Sequence, residues 1–192
     1  MSTPPGPGSG SPSTAPGQLG PVARGAVPDD VGDLVELYQV ASAELGALRG
    51  GPVLLGLSGR RAPIESSFAD QLDDATRYLV VGTLGGVVVG FGACTTHDLE
   101  GQGRLGPQGR LGSIGRLGSI GRLGSIEELY VTPEARRRGV GRAMTASLLA
   151  WCRAAGCTSA DAAALPGSRA VKSFFEAEGF SARLLVMHRA ML

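Results

Sequence analysis

The chain has 192 residues, which at ~150 residues per domain predicts one compact domain plus extensions. Glycine (31) and proline (12) are over-represented, but they concentrate in the first 28 residues and in residues 101–126; with 43% of the chain apolar, global disorder is excluded. The net charge of +1 excludes a bulk basic field for nucleic acid, and no apolar run reaches the ~18 residues that would cross a bilayer.

Residues 1–24, MSTPPGPGSGSPSTAPGQLGPVAR, hold too little apolar surface to offset their ordering entropy. They predict a Pro/Gly/Ser-rich tail over 1–21 and a domain over 22–192. The tail has no charged n-region and no apolar h-region, so it does not read as a secretory signal. Residues 22–27 predict a first strand. Pro28-Asp29-Asp30 starts a helix with Asp as N-cap, and Val31, Leu34, Val35, Tyr38, Ala41 and Leu45 carry it over 30–48 at helical spacing. Gly50-Gly51 ends it. Residues 51–62 read as loop and 63–75 as a second helix. Strands follow at 77–84 and 87–96, joined by a Gly85-Gly86 turn.

Residues 103–126 are four tandem hexads, GRLGPQ and then three copies of GRLGSI. Four hexads are too few for a β-helix, so 103–124 is expected to be an insertion leading into a strand at Ser125–Val131. A helix then runs to about Ala155, with Val140, Ala143, Met144, Ser147, Leu148, Trp151 and Cys152 on one face. A strand at 158–164, a helix at 167–178 capped by Gly179, and a last strand at 180–190 complete the order β-α-α-β-β-β-α-β-α-β. Cys94, Cys152 and Cys157 lack a CxxC spacing, which suits a reduced cytoplasm; with His97 and His188 the only histidines, no metal site is expected.

The segment Glu128-Leu129-Tyr130-Val131-Thr132-Pro133-Glu134-Ala135-Arg136-Arg137-Arg138-Gly139-Val140-Gly141-Arg142-Ala143 takes a strand into a basic, glycine-bearing loop and out as a helix. The first amides of that helix have no intrahelical acceptor, and the helix dipole adds about half a positive charge. Gly139 and Gly141 let a ligand approach the backbone, which suits a pyrophosphate. No Lys-Ser/Thr follows the glycines, so a Walker A loop is excluded, and the GxGxxG of dinucleotide folds is absent.

Arg136-x-x-Gly139-x-Gly141 resembles the R/Q-x-x-G-x-G/A motif of the GNAT superfamily of acyl-CoA-dependent N-acetyltransferases. Leu129-Tyr130-Val131-x-Pro133-Glu134 is similar to the strand end that precedes it in that family. Ala170-x-x-Phe174-Phe175-Glu176-x-x-Gly179-Phe180 is similar to the family's A-x-x-F-Y-E-x-x-GF helix. The resemblance covers residues 22–190 apart from the hexads. It implies a mixed, mostly antiparallel central sheet flanked by helices on both faces, with acetyl-CoA as co-substrate. Backbone groups of Leu129 and Val131, beside Tyr130, would pair with the pantetheine arm. The amides from Arg137 through Val140 and Gly141 to Ala143 would cradle the pyrophosphate, and Arg136, Arg138 and Arg142 would add charge. Phe174 is grouped with these cofactor-binding residues and Phe180 with the core.

The implied reaction is acetyl transfer to a primary amine of a small molecule or a protein. An amine of pKa ≈ 10.4 must shed a proton before it attacks. Glu127 and Glu128 are the candidate bases; strand alternation puts them on opposite faces, and the family's acidic position favours Glu127. The Leu129 amide would meet the oxyanion. One departure stands out: where many members carry a Tyr that can protonate the leaving thiolate, this chain has Phe175. An acyl-CoA-binding module without turnover is therefore an alternative, and a nucleotide-binding protein using the same cradle is a more distant one. The acceptor is expected between residues 45–66 and the last strands. Neither nucleic acid nor membrane is an expected partner, and the oligomeric state is left open, a homodimer included.

Overall fold

The computed structural model describes residues 20–98 and 121–189. Its elements are β1 (Pro21–Gly25), α1 (Val31–Gly46), α2 (Gly51–Ser58), α3 (Ile64–Asp73), β2 (Arg77–Leu84), β3 (Val87–Asp98), β4 (Arg122–Val131), α4 (Val140–Ala154), β5 (Cys157–Ala162) and α5 (Arg169–Ala177). The strands form one sheet in the order β1-β2-β3-β4-β5. The first three pairings are antiparallel and β4–β5 is parallel. Helices α1 and α3 cover one face and α4 the other, the expected mixed sheet with helices on both faces.

The α1–α3 face is filled by large side chains. Leu34, Leu37, Phe68, Leu79, Val81 and Phe91 are buried there, with Tyr38 and Tyr130 packed against them. Phe68 meets Tyr38 and Phe91 edge-on, at ring separations of 6.1 and 6.0 Å. The α4 face is instead cut back to glycine. A Cβ on Gly82 would lie 2.5 Å from Val140 Cγ1, on Gly92 3.1 Å from Leu148 Cδ1, and on Gly124 2.5 Å from Cys152 Sγ. These glycines let α4 sit close on the strands, with its N-terminus at the end of β4.

The chain start is pinned by charge. Asp30, which caps α1 by position, accepts the Val27 amide at 2.8 Å and both guanidinium nitrogens of Arg24 at 2.7 Å. Between β2 and β3, Gly85 and Gly86 both take positive φ (60° and 85°), as the expected two-residue turn requires.

Three expectations are corrected. Within 51–62, read as loop, GPVLLGLS forms α2: Pro52 sits in its first turn and Val53, Leu54 and Leu55 follow without interruption. β4 begins at Arg122 rather than Ser125, so the fourth hexad is part of the sheet, with Leu123, Gly124 and Ile126 buried. The insertion expected over 103–124 therefore keeps only residues up to 120, which lie outside the described residues. The strand expected at 180–190 is not formed: residues 180–189 stay outside the sheet. Leu184, Leu185, Val186 and Met187 run consecutively and all are exposed, so no alternation defines a face or a register. Arg183, paired with Asp161 of β5, tethers the segment.

Candidate active site

The site forms where β4 parts from β5. Their pairing ends at Ile126–Ala162, while β4 continues to Val131 against β3. The Thr132 amide donates to the Val89 carbonyl at 2.9 Å. Since antiparallel hydrogen bonding alternates, Tyr130 directs its backbone groups toward β3, and Leu129 and Val131 direct theirs into the gap. These are the two residues expected to meet the pantetheine arm.

The gap leads to the α4 N-terminus. Gly139 holds φ 87°, and Arg137 is a non-glycine residue at φ 61°, so the loop turns its amides outward. The Ala143 amide donates to the Gly139 carbonyl at 3.0 Å, closing the first helical turn; the amides without an intrahelical acceptor are those of 139–142. The two glycines differ in role. Gly139 supplies the left-handed turn. At Gly141 a Cβ would make only ordinary contact, 3.5 Å from Phe174, so its bare backbone gives room rather than conformation. Phe174 is half-buried beside Gly141, and Phe175 is buried between Phe174 and Phe180 at ring separations of 5.3 and 5.2 Å.

The arginines divide. Arg136 donates to the Val131 carbonyl at 2.9 Å and to Glu44 of α1 at 2.6 Å, and its guanidinium lies 5.6 Å from the Tyr130 ring centroid. Arg142 pairs with Glu178 of α5 at 2.9 Å. Arg137 and Arg138 are exposed. Tyr130 donates its hydroxyl to Glu44 at 2.7 Å. Burial, and then this bond to a carboxylate, push the Tyr130 hydroxyl up to about 12. Burial works against ionisation of Glu44, but the hydrogen bonds from Arg136 and Tyr130 outweigh it and hold its carboxyl below the usual range.

Glu127 and Glu128 do not alternate. A β-bulge pairs Ala93 with Glu128 and Cys94 with Ile126, leaving Glu127 as the extra residue. Both carboxylates consequently face the α1–α3 side. Glu127 is exposed, and its carboxylate accepts the Thr95 hydroxyl at 3.1 Å. Glu128 is enclosed: Arg60, its side chain only 7% exposed, donates to it at 3.1 and 2.5 Å. Arg60 also donates to Gln71 at 2.5 Å and lies 3.7 Å from the Phe68 ring centroid. Burial pushes the Glu128 carboxyl above its usual range, opposed by Arg60. An acid sealed against an arginine is a structural partner, and Glu127 is the carboxylate that solvent and an acceptor can reach.

Glu44 and Thr95 carry no sequence signal, and Arg60, within the expected acceptor segment 45–66, carries none for its pairing with Glu128. Their partners lie 32–92 residues away along the chain, and no local pattern marks a bulge. Cys94 and Cys152 meet beneath the sheet with sulfurs 3.9 Å apart; the hydrogen bond between them, and burial, push the Cys94 thiol up. They read as core.

The sequence model of the acetyltransferase (GNAT) family matches residues 55–180. The chain belongs to this family. The matched span includes the β4 gap and the 139–142 amides. Among solved structures, the chain is similar to the aminoglycoside N-acetyltransferase AAC(6')-Iy in complex with a CoA bisubstrate analogue, at 15% identity and a TM-score of 0.62, covering 90% of this chain and 99% of that one. It is also similar to an acetyltransferase from Clostridium acetobutylicum with acetyl-CoA, at 14% identity, TM-score 0.58 and 88% and 96% coverage. A third similar structure is an aminoglycoside acetyltransferase from an uncultured soil metagenomic sample with sisomicin, at 13% identity, TM-score 0.60 and 90% and 95% coverage. At these identities the likeness is one of fold. No curated protein matches the sequence. Among the described residues no helix is long and apolar enough to cross a membrane.

Proposed function

We propose that this GNAT family member transfers an acetyl group from acetyl-CoA to a primary amine by direct attack. The observation that carries this reading is the β4–β5 gap: the backbone edge of Leu129 and Val131, paired with no strand and bonded only by Arg136 at the Val131 carbonyl, runs into the 139–142 amides. An extended amide-bearing arm fits the edge, and a pyrophosphate fits the amides and the helix dipole. The bound co-substrate supplies a thioester carbon. The chain's own groups do the rest. The Leu129 amide, aimed into the gap, stabilises negative charge on the acyl oxygen. Glu127, reachable and oriented by Thr95, takes a proton from the ammonium directly or through water.

One observation favours the alternative of binding without turnover. Tyr130 commits its hydroxyl hydrogen bond to Glu44, and Phe175 has no proton to give, so neither serves the leaving thiolate, which then takes its proton from water or from the attacking amine.

The test pairs binding with turnover. Acetyl-CoA at a hundredfold excess over Kd should stabilise the protein by about 2.7 kcal/mol, and Gly141→Glu should abolish that gain without unfolding the protein. Glu127→Gln should lower kcat by ~10²–10⁴ while acetyl-CoA still binds. Binding without acetyl transfer to any amine would leave only the binding-module reading. No stabilisation by acetyl-CoA would overturn both.

A further inference from the structure

The surroundings of Glu127 bear on which amine it meets. Three carboxylates gather on this side of β4, and two are already neutralised: Glu44 by Arg136 and Glu128 by Arg60. Glu127 is held by a hydroxyl alone among the described residues. The site thus offers one uncompensated negative charge.

Helix α2 and its flanks up to Ile64 add none; the first acid beyond them is Glu65, at the start of α3. Helix α2 is strung between two points tied to β4, Glu44 at the end of α1 and Arg60 just after α2. No Asp or Glu occurs from residue 45 to 64, where Arg49, Arg60 and Arg61 do. The facing loop 163–168 reads AALPGS, and Leu165 closes on Gly50 at 3.7 Å from where its Cβ would be. Helix α2 itself carries four large apolar residues and buries only Gly51; Leu48, Val53 and Leu57 are 45%, 42% and 54% exposed. A helix this apolar and this exposed, tied through Arg60 to Glu128 beside Glu127 in β4, is fitted to cover an apolar ligand.

We propose, resting on the acetyl-transfer reading, that the acceptor is a monoamine with an aliphatic or aromatic body, and that polycationic amines are disfavoured. One ammonium is matched by Glu127. A second would face Arg49 or Arg61, or lose water against leucine with no partner in return. Covering a Leu- or Val-sized side chain contributes to binding in proportion to the area it hides, so the body of the acceptor sets KM.

The test is steady-state acetyl transfer to 2-phenylethylamine, spermidine and sisomicin, with wild type and Leu57→Ser. Phenylethylamine should exceed both polycations at least tenfold in kcat/KM. Leu57→Ser, at an exposed position, should raise KM for phenylethylamine severalfold and leave KM for acetyl-CoA unchanged. Preference for a polycation would overturn this inference and leave acetyl transfer standing. Unchanged KM for phenylethylamine in Leu57→Ser would overturn the role given to α2. If acetyl-CoA binds and none of these three amines is acetylated, this inference is overturned, while acetyl transfer itself falls only if a broad panel of primary amines also gives no product.

Discussion

On the α4 face the sheet is pared down to Gly82, Gly92 and Gly124; on the α1–α3 face Phe91 and Tyr130 of the sheet meet Phe68 of α3 and the Arg60–Glu128 and Arg136–Glu44 pairs. On the proposed function, the difference tracks what each side would bind. A cofactor arm and a pyrophosphate are recognised by backbone, which any sequence can supply if glycine keeps side chains out of the way. An acceptor is recognised by side chains, so that face is built of rings and charges that can differ from one protein to the next. The cofactor end should therefore be sensitive to added atoms, and the acceptor end to removed ones.

The largest expected effect removes atoms. Arg60→Ala strips Glu128 of its salt-bridge partner and leaves a carboxylate in an enclosed site, a loss of about 3–5 kcal/mol. The pH dependence has a definite sign. Burial already raises the folded-state Glu128 value above its unfolded value, and losing Arg60 raises it further. A raised carboxyl is compatible with folding while protonated and costs stability as pH climbs through its folded value. Urea unfolding should thus show a larger deficit near about pH 8 than near about pH 5. Glu128→Leu added to Arg60→Met should recover most of the loss, since a hydrophobic pair needs no desolvation of charge.

Next comes an added atom. Gly82→Ala places a Cβ 2.5 Å from Val140 Cγ1, and a helical valine has one comfortable rotamer, so α4 must shift. The expected cost is ~1–3 kcal/mol in denaturant unfolding. Because Val140 opens the helix that presents the 139–142 amides, acetyl-CoA affinity should fall as well. An equal change at Gly56, which has open space around it, should do neither.

How much of this was legible in the sequence follows the same division. The strand–loop–helix unit proposed for the cofactor could be read because its determinants are local: Arg136-x-x-Gly139-x-Gly141 lies between β4 and the first turn of α4, and its glycines are visible as glycines. Helical spacing placed α1, α4 and α5, and Gly85-Gly86 placed the hairpin. The acceptor end could not be read, because its pairs join residues far apart: Arg60 reaches Glu128, and Glu44 reaches Tyr130 and Arg136. A single bulge at Glu127 undid the alternation argument for the two glutamates, and no residue type announces a bulge. The segment 180–189 misled because apolar content was present without the alternation that makes a strand.

A smaller effect lies at the chain start. The hydrogen bonds from Arg24 hold the Asp30 carboxyl below its usual range, with burial opposing and the Val27 amide assisting. A depressed carboxyl stabilises the fold above its unfolded value, and that contribution is lost as pH falls from about 4 through the folded value. Arg24 is 45% exposed, so water screens the pair. Asp30→Asn should cost about 1 kcal/mol at neutral pH and progressively less below about pH 4, as read by thermal unfolding.

The smallest loss comes from the largest change in sequence. Three hexads read GRLGSI, yet the one that enters β4 is the copy joined directly to Glu127. Gly124 is there because Cys152 lies against it, and Ile126 because it closes the α4 core. Asp98 pairs with Arg122, so deletion of residues 103–120 leaves residues 99–102 and 121 to span the β3–β4 turn. Five residues is an ordinary hairpin connection. Loop-closure entropy then favours the shortened chain, by roughly 1–1.5 kcal/mol. Cooperative unfolding and the acetyl-CoA-induced stabilisation should both survive, whereas Gly124→Val in the full chain should lose both. If the deletion instead abolishes cooperativity, the repeats are part of the fold, and the fourth copy is not sufficient to build β4.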